Sequence, residues 1–489
     1  MSYANPLTPK ERMQIPRQQM PEQSPEERVH NFNEVPLGLT PEMAMLEARR
    51  CLECRKPTCS SGCPVGVDIP AFLTLIAEGK FVEASWKIKE TNVLPAICGR
   101  VCPQDEQCEK NCIVGRKKHP IGIGMLERFA ADYERATGQV KIPEVVSPTG
   151  CKVAVVGSGP AGLTAAFELA KRGHKVTIFE ALHRPGGVLF YGIPRFRLPS
   201  EVIEAEIDVL RQMGVEIILN APVGKVITID ELMNEEGYDS VFVGTGAGLP
   251  WFTNLPGENL NGIYSANEYL TRINLMRADR FPNNATPVYC GKRVAVIGAG
   301  NTAMDAARVS LRMGPEKVYV FYRRTRNEAP ARTEELEHAI QEGVEFHWLT
   351  APTRFIGDDN YFVKQIEVQR MELGEPDSSG RRRPVPIPDS EQVYEVDTVV
   401  LALGFGVNPL ITDSTPDIET DKWGVVQVTK ETGQTSKEGV FAAGDVITGG
   451  ATVILAMGQA RTAALGLHNW LVERKGLDLP VESPVLETA

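Results

Sequence analysis

Eight cysteines fall between residues 51 and 112 in two runs whose spacing suits metal chemistry. Cys51, Cys54, Cys59 and Cys63 follow C-x2-C-x4-C-x3-C, with Pro64 immediately after. Cys98, Cys102, Cys108 and Cys112 follow C-x3-C-x5-C-x3-C. Thiolates are soft ligands for zinc or for iron–sulfur clusters. Structural zinc sites usually use paired C-x2-C knuckles, and only Cys51 and Cys54 are so spaced, so the pattern favours iron–sulfur centres over zinc. The other two cysteines, Cys151 and Cys290, are single thiols, each just ahead of an apolar run.

Those runs carry a second kind of chemistry. Lys152-Val153-Ala154-Val155-Val156 breaks into Gly157-Ser158-Gly159-Pro160-Ala161-Gly162, a G-x-G-x-x-G at the junction of a strand and a helix. Glycines at those places allow the turn, the approach of a pyrophosphate and close packing of helix on strand, while the helix N-terminus faces the phosphates. The next apolar run, Lys175 to Phe179, ends in Glu180, placed to accept from an adenosine ribose. Arg293 to Ile297 and Gly298-Ala299-Gly300-Asn301-Thr302-Ala303 repeat the pattern with alanine in third place. The strand Lys317 to Phe321 is followed by Tyr322, Arg323 and Arg324, so two guanidiniums stand where the first copy has an acid. That exchange favours the 2′-phosphate of NADP(H), the alternative being a solvated charge pair at a strand end.

The elements that must position these groups can be read around them. Thr40 and Pro41 start a helix that reaches about Arg50 and delivers the first cysteine; Ile69 to Glu78, Phe81 to Thr91 and Pro120 to Ala136 carry helical periodicity around the thiols. Gly186 and Gly187 open a glycine-rich loop through Tyr191-Gly192-Ile193-Pro194, expected to close over the first cofactor. Tyr238 to Gly246 and Val396 to Gly404 read as matching buried strands ending in glycine, which supports a duplicated plan. Val440 to Ala443 leads to Gly444 and Asp445, then a helix begins near Ala451 and Thr452. Asp445 there suits a ribityl hydroxyl, or else serves as a plain helix cap. These distances imply an α/β chain with one nucleotide fold nested in another: 1–146 for the arm and thiol-bearing helices, 147–280 and 408–489 for the first fold, 281–407 for the second.

Length and charge bound the function. The 489 residues suffice for three domains, 42% hydrophobic content is ordinary, and no apolar run approaches a bilayer span. Met1 to Glu27 is polar and rich in Pro and Gln, unlike a secretion signal, which predicts a cytoplasmic protein with a loosely ordered arm. A net charge of −11 argues against bulk nucleic-acid binding. With single thiols only, relay through a cysteine pair is disfavoured.

Taken together, Arg50-Cys51-Leu52-Glu53-Cys54, Cys63-Pro64, Cys98-Gly99-Arg100-Val101-Cys102-Pro103, Gly122 to Phe129, Tyr191 to Pro194 and Ala442-Ala443-Gly444-Asp445 resemble one family over residues 30 to 475. It is the small subunit of NADPH glutamate synthase, with the large subunit of the bifurcating NADH-dependent ferredoxin:NADP oxidoreductase and the N-terminal half of dihydropyrimidine dehydrogenase as relatives. The resemblance implies a helical domain with two [4Fe–4S] clusters, then FAD in the first fold and NADPH in the second, in a glutathione-reductase-like layout. It assigns Cys51, Cys54, Cys59 and Cys112 to one cluster and Cys63, Cys102, Cys108 and Glu127 to the other, with Cys98 a buried bystander. The alternative for Glu127 is an exposed helix acid paired with Arg128 or Arg135. The implied activity is hydride transfer from NADPH to FAD, then passage of electrons to a glutamate synthase large subunit. Stretches such as Gly66 to Pro70 and Phe196 to Pro199 stand nearer the bifurcating relatives, whose partner is a ferredoxin- and NAD-linked flavoprotein. Either way a hetero-oligomer is expected. The opening Met1-Ser2-Tyr3 offers no N-terminal cysteine nucleophile, and no further barrel-sized segment is evident, so the chain is expected not to make glutamate alone. A zinc-bound, nucleotide-stabilised scaffold is the non-enzymatic alternative.

Overall fold

Val153 to Val156 are buried on both faces, as in a strand with neighbours on either side and helices above and below. In the computed structural model, which describes residues 7–377 and 380–482, Lys152–Val156 is the centre of a five-stranded parallel sheet. The strands lie in the order Val440–Ala442, Ser240–Val243, Lys152–Val156, Lys175–Phe179, Glu216–Ile218. A second parallel sheet has the order Ile263–Ser265, Thr398–Leu401, Arg293–Ile297, Lys317–Tyr322, Glu345–Trp348. The registers repeat: Val156 lies opposite Phe179 in one, Ile297 opposite Phe321 in the other. The chain leaves the first sheet, builds the second, and returns through Val440–Ala442 and the 23-residue helix Val453–Lys475. The two crossings pair as a short antiparallel ribbon, Leu249–Pro250 with Phe405–Gly406. A four-stranded antiparallel sheet over residues 350–395 flanks the second fold.

The thiol-bearing segment is helical. Pro41–Ala48 is capped by the Thr40 hydroxyl, which accepts from the Met43 N–H at 3.3 Å. Ile69–Ala77, Phe81–Lys89 and Pro95–Val101 follow. The helix expected from Pro120 starts at Ile123 and runs to Ala136. His119 and Pro120 stay outside it because their carbonyls accept from Arg50 at 2.6 and 3.0 Å, and Pro120 also from Arg17 at 2.9 Å. This segment shares one core with the first sheet: Ile97, Cys98 and Leu126 pack in the same cluster as Leu163, Met457 and Leu467. Among the described residues no helix is long and apolar enough to cross a membrane.

The expectation of a loosely ordered arm is corrected for residues 7 to 27; Met1 to Pro6 lie outside the described residues. Arg12 donates to the Cys51 carbonyl at 2.7 Å and to Glu53 at 2.8 Å. Arg17 pairs with Glu109 at 3.0 Å. Arg28, just beyond, is 1% exposed and reaches Glu342 at 2.8 Å. Polar composition suggested disorder, but buried ion pairs and bonds to carbonyls order the arm across both the thiol segment and the second fold.

At the base of the first sheet, the buried His174 accepts or donates to His468 at 2.9 Å through one ring nitrogen and to Thr149 at 2.8 Å through the other. Burial, then the neighbouring His468 and Arg172, push the His174 pKa down to about 4. Because the folded value lies below the unfolded one, the contribution is complete above pH ~6.5 and lost as pH falls toward ~4. Replacing His174 with Gln is expected to flatten the fall in Tm over that window relative to the parent chain, by an amount corresponding to about 2–3 kcal/mol. Parallel Tm curves for the two proteins would contradict this.

Candidate functional site

Folding sorts the eight clustered thiols differently from their order in sequence. Cys51, Cys54, Cys59 and Cys112 line one small cavity, together with Leu73, Ile113, Ile121 and Ile123. Burial and then the other thiols of the set raise the pKa of Cys51 to about 12. Cys59 is raised to about 11, first by burial and next by Cys112. The loop that brings Cys112 here is tied by the Thr58 hydroxyl, which donates to the Asn111 carbonyl at 2.5 Å. Thiols so crowded would lose their protons to solvent when a cationic metal centre binds, the usual linkage of binding to deprotonation. Four sulfurs on an apolar wall fit an iron–sulfur cluster.

The second set lies deeper. Burial, with Glu127 and Cys102 nearby, raises Cys63 to about 11. Cys108 is raised by burial and by Glu109, Glu127, Cys63 and Cys102. Cys102 is raised by its hydrogen bond to Cys98 and by burial. Glu127 stands among these thiols. It is 9% exposed, and its Oε1 accepts from Asn92 Nδ2 at 2.6 Å rather than pairing with Arg128 or Arg135. Burial pushes its carboxyl up to about 7. The exposed-acid alternative is thereby overturned. Cys98 is fully buried beside the same set, with its Sγ 3.5 Å from Met457 Sδ. Asn92 and Met457 carry no local sequence signal for this place, since their partners are distant in the chain.

Met457 belongs to the helix that begins at the flavin-type end of the first sheet. Thr452, not Asp445, caps that helix, accepting from the Leu455 N–H at 3.3 Å. Asp445 Oδ1 instead accepts from the Ala451 N–H at 3.1 Å, and burial raises its pKa to about 6. The same helix crosses the second thiol set so closely that a Cβ at Gly458 would lie 2.7 Å from the Pro64 carbonyl oxygen. The glycine keeps the cysteine loop against the helix.

Around Asp445 the predicted residues converge. A Cβ at Gly162 would meet the Gly157 oxygen at 1.9 Å, whereas Gly159 has open space on that side. The turn thus packs tightly inward and stays clear outward, as a pyrophosphate requires. Pro160 and Ala161 begin the helix Pro160–Lys171, and Ala161 abuts Gly444. Gly187 packs on Gly159, and the Gly186 N–H donates to Ser158 Oγ at 2.8 Å. Glu180 is buried; its Oε2 accepts from the Ser158 N–H at 2.9 Å and its Oε1 from the Leu182 N–H at 2.8 Å. Oε2 accepts from the Ser158 hydroxyl as well, so it is Oε1 that keeps a lone pair for a ribose hydroxyl. Tyr191 is raised to about 12 by burial, then by the Asp445 and Glu180 carboxylates. Gly246 follows the next strand at the same end of the sheet, with positive φ. Sequence reasoning missed Gln459, whose Oε1 accepts from the Gly444 N–H at 3.1 Å.

At the second sheet Gly298 and Gly300 form the equivalent turn before the helix Asn301–Arg312, which also contains Thr302 and Ala303. Asn301 Oδ1 accepts from the Arg332 N–H at 2.9 Å, and Arg332 also donates to the Arg100 carbonyl at 2.8 Å, so the turn is tied to the thiol segment. The two arginines expected to act together are separated. Arg323 is exposed. Arg324 is buried, donating to Asp377 at 2.6 Å and to the Arg382 carbonyl at 2.8 Å. Its guanidinium is already used in holding the antiparallel sheet.

Cys290 Sγ lies 3.4 Å from the Tyr269 hydroxyl, and Cys151 is buried beside Thr149. Neither sits in a thiol pair among the described residues.

Residues 28–139 match the dihydropyrimidine dehydrogenase domain II, 4Fe-4S cluster family, and residues 151–460 match the pyridine nucleotide-disulphide oxidoreductase family. The glutamate synthase [NADPH] small chain of Azospirillum brasilense is 37% identical, covering 92% of this chain and 94% of that protein. The NADP(+)-dependent formate dehydrogenase subunit beta of Moorella thermoacetica is 39% identical over 88% of this chain, which spans only 62% of that longer protein. Mycobacterium tuberculosis FprA in complex with NADPH shares the fold, with a TM-score of 0.57 at 21% identity over 67% of this chain and 85% of its own. Two glycine turns on twin parallel sheets, beside gathered thiols, are thus found together with matches along nearly the whole chain. The chain belongs to the glutamate synthase small chain-like family of NAD(P)-dependent FAD and iron–sulfur oxidoreductases.

Proposed function

We propose that this chain takes hydride from NADPH onto FAD and passes the electrons, through two [4Fe–4S] clusters, to a separate glutamate synthase large subunit. The observation that carries this reading is the sorting of the thiols into a four-cysteine set near the surface and a deeper set of Cys63, Cys102, Cys108 and Glu127. The deeper set touches the helix that starts at the flavin end. When bound, nicotinamide and flavin supply hydride transfer, and iron clusters supply steps of one electron. The residues of the chain bind and align. The Gly157 to Gly162 turn and Glu180 hold FAD, with Asp445 and the Tyr191 to Pro194 loop at its reactive end. Gly298, Gly300, Asn301 and Thr302 hold NADP(H), and no side-chain acid is needed for the transfer. In this division residues 1–146 bear the clusters, 147–280 with 408–489 the flavin, and 281–407 the nicotinamide nucleotide.

A subunit role is supported by the names of the relatives, which include subunits of formate dehydrogenase and of an NADPH-Fe(3+) oxidoreductase. The test uses anaerobically purified chain. It should hold about eight irons, bleach with NADPH, and form glutamate from glutamine and 2-oxoglutarate only after a glutamate synthase large subunit is added. Zinc in place of iron refutes the electron path. Activity restored instead by an NAD- and ferredoxin-linked flavoprotein selects the bifurcating assembly.

Of the two arginines, Arg323 is left to meet a 2′-phosphate. Arg323→Ala is expected to weaken NADPH by about 1–3 kcal/mol and to leave NADH unchanged, from loss of a charge-assisted hydrogen bond. Arg324→Ala is expected to lower Tm and spare the NADPH/NADH ratio. Equal loss of both nucleotides in Arg323→Ala, read by titration of binding, refutes the phosphate role.

A further inference from the structure

We propose that Asn92 is a positioning residue for the deeper thiol set: its amide seats Glu127 as the oxygen donor beside Cys63, Cys102 and Cys108 and raises the potential of the cluster held there. The proposal rests on the two-cluster electron path above and adds to it a group that neither ligates iron nor touches a nucleotide.

Asn92 lies in the turn between the helices Phe81–Lys89 and Pro95–Val101 and is 1% exposed. Its place is fixed without help from Glu127. The backbone N–H donates to the Ile88 carbonyl at 2.9 Å, closing the end of the first helix, and the side-chain Oδ1 accepts from the Leu94 N–H at 3.1 Å. With the oxygen so engaged, the amide nitrogen faces the other way, where it donates to Glu127 Oε1 at 2.6 Å. A donor held by its own turn is pre-organised: it fixes one carboxylate oxygen and leaves the second for iron.

The neutrality of this donor matters. Cations of the neighbouring helices are committed to other acids: Lys89 to Glu134 at 2.5 Å, Arg100 to Asp132 at 2.7 Å and Arg128 to Glu34 at 3.1 Å. Burial raises the pKa of Glu127 and the Asn92 amide opposes it, with no ion pair to Glu127 among the described residues. A guanidinium there would neutralise the carboxylate and compete with iron for it, whereas an amide shares the charge without cancelling it. Hydrogen bonds to the ligands draw negative charge off an iron–sulfur centre and favour its reduced form, so the amide sets this potential higher than the carboxylate alone would. Asn92 is also a hydrogen-bond neighbour of Cys98, the thiol that competes for the same place. By seating Glu127, the amide puts the oxygen ahead of that thiol.

The test uses the full chain, purified anaerobically with its clusters and FAD, and reads iron content and midpoint potentials by redox titration followed by electron paramagnetic resonance. Asn92→Leu keeps the side-chain shape and removes donor and acceptor together. Asn92→Ser keeps an acceptor for the Leu94 N–H but is too short to reach Glu127. Both are expected to lower the potential of one cluster by about 59 mV or more, a tenfold shift of its one-electron equilibrium, and to leave the other where it was. The signal that moves should be the one that Glu127→Gln moves, and about four irons should pass to a chelator roughly tenfold faster than in the parent chain. Loss of those irons during purification, with the remaining cluster unshifted, supports the same role. Unchanged potentials and chelation rates in Asn92→Ser overturn the proposal. So does an equal shift of both clusters, the mark of a general disturbance of the helical segment. Asn92→Ser decides the matter where Asn92→Leu fails to fold. A parent chain that holds zinc or a single cluster refutes the electron path instead, so the two failures are told apart.

Discussion

If the chain carries the two clusters proposed above, Glu127→Ala is expected to lower iron from about eight to about four per chain and to leave the Cys51, Cys54, Cys59 and Cys112 cluster in place, because the two proposed sets share no ligand. The carboxyl is buried among Cys63, Cys102 and Cys108, and its hydrogen-bond partner among the described residues, Asn92, leaves the other oxygen free to ligate. Alanine removes that oxygen without replacing it. Glutamine keeps an oxygen at the same reach, so Glu127→Gln should hold iron and shift the potential of one cluster only, since an amide carries no charge. Cys98 complicates the outcome, for its thiol is hydrogen-bonded to Cys102 in the same set. Iron and electron paramagnetic resonance spectra therefore need the double variant as well. If Glu127→Ala retains eight irons and only Glu127→Ala with Cys98→Ser falls to four, Cys98 is the ligand. Retention of both clusters in the double variant rules out either residue.

The parts of this arrangement written in short stretches were legible in the sequence. A glycine turn depends on its own backbone, so both nucleotide turns and the strands before them could be placed from residues 152–162 and 293–303 alone. Thiol spacing announced metal chemistry. The exchange of Cys112 and Cys63 between sets came from family resemblance, because spacing does not say which loops meet. Features made by distant partners were not legible. Arg323 and Arg324 look equivalent in sequence, yet Asp377, 53 residues on, removes one of them from the surface. The arm reads as polar and loose because its anchors lie far away: Arg28 is 314 residues from Glu342. The two-residue ribbon strands are too short for a periodic signal, and the 14-residue strand Val363–Pro376 of the antiparallel sheet buries only Val363, Ile366 and Val368, a weak alternation.

That distant anchoring makes Glu342 the residue whose loss should cost the fold most. Its carboxylate is fully buried and receives three guanidiniums: Arg28 at 2.8 Å, Arg308 at 2.7 Å and Arg312 at 2.8 Å. Arg308 also pairs with Glu335, which Arg197 contacts at 2.9 Å, and Arg308 and Arg312 lie 4.6 and 3.9 Å over the Phe196 ring. Burial opposes the charge on Glu342, but the arginines hold its pKa down to about 2. Glu342→Gln leaves three cations around a neutral amide of nearly the same shape. Breaking a buried pair by removing one partner costs about 3–5 kcal/mol, because the remaining charges stay desolvated. A fall in Tm on the order of 10 °C is expected. The arm should detach first, since Arg28 is its hold on the second fold at this point, and trypsin should then cut at Arg12 or Arg17 much faster than in the parent chain. Arg28→Ala separates the two effects. It releases the arm but leaves Glu342 with two arginines, so tryptic sensitivity should rise with a smaller loss of Tm. If Glu342→Gln is cleaved no faster than the parent and unfolds at the same temperature, the arm is not secured through this network.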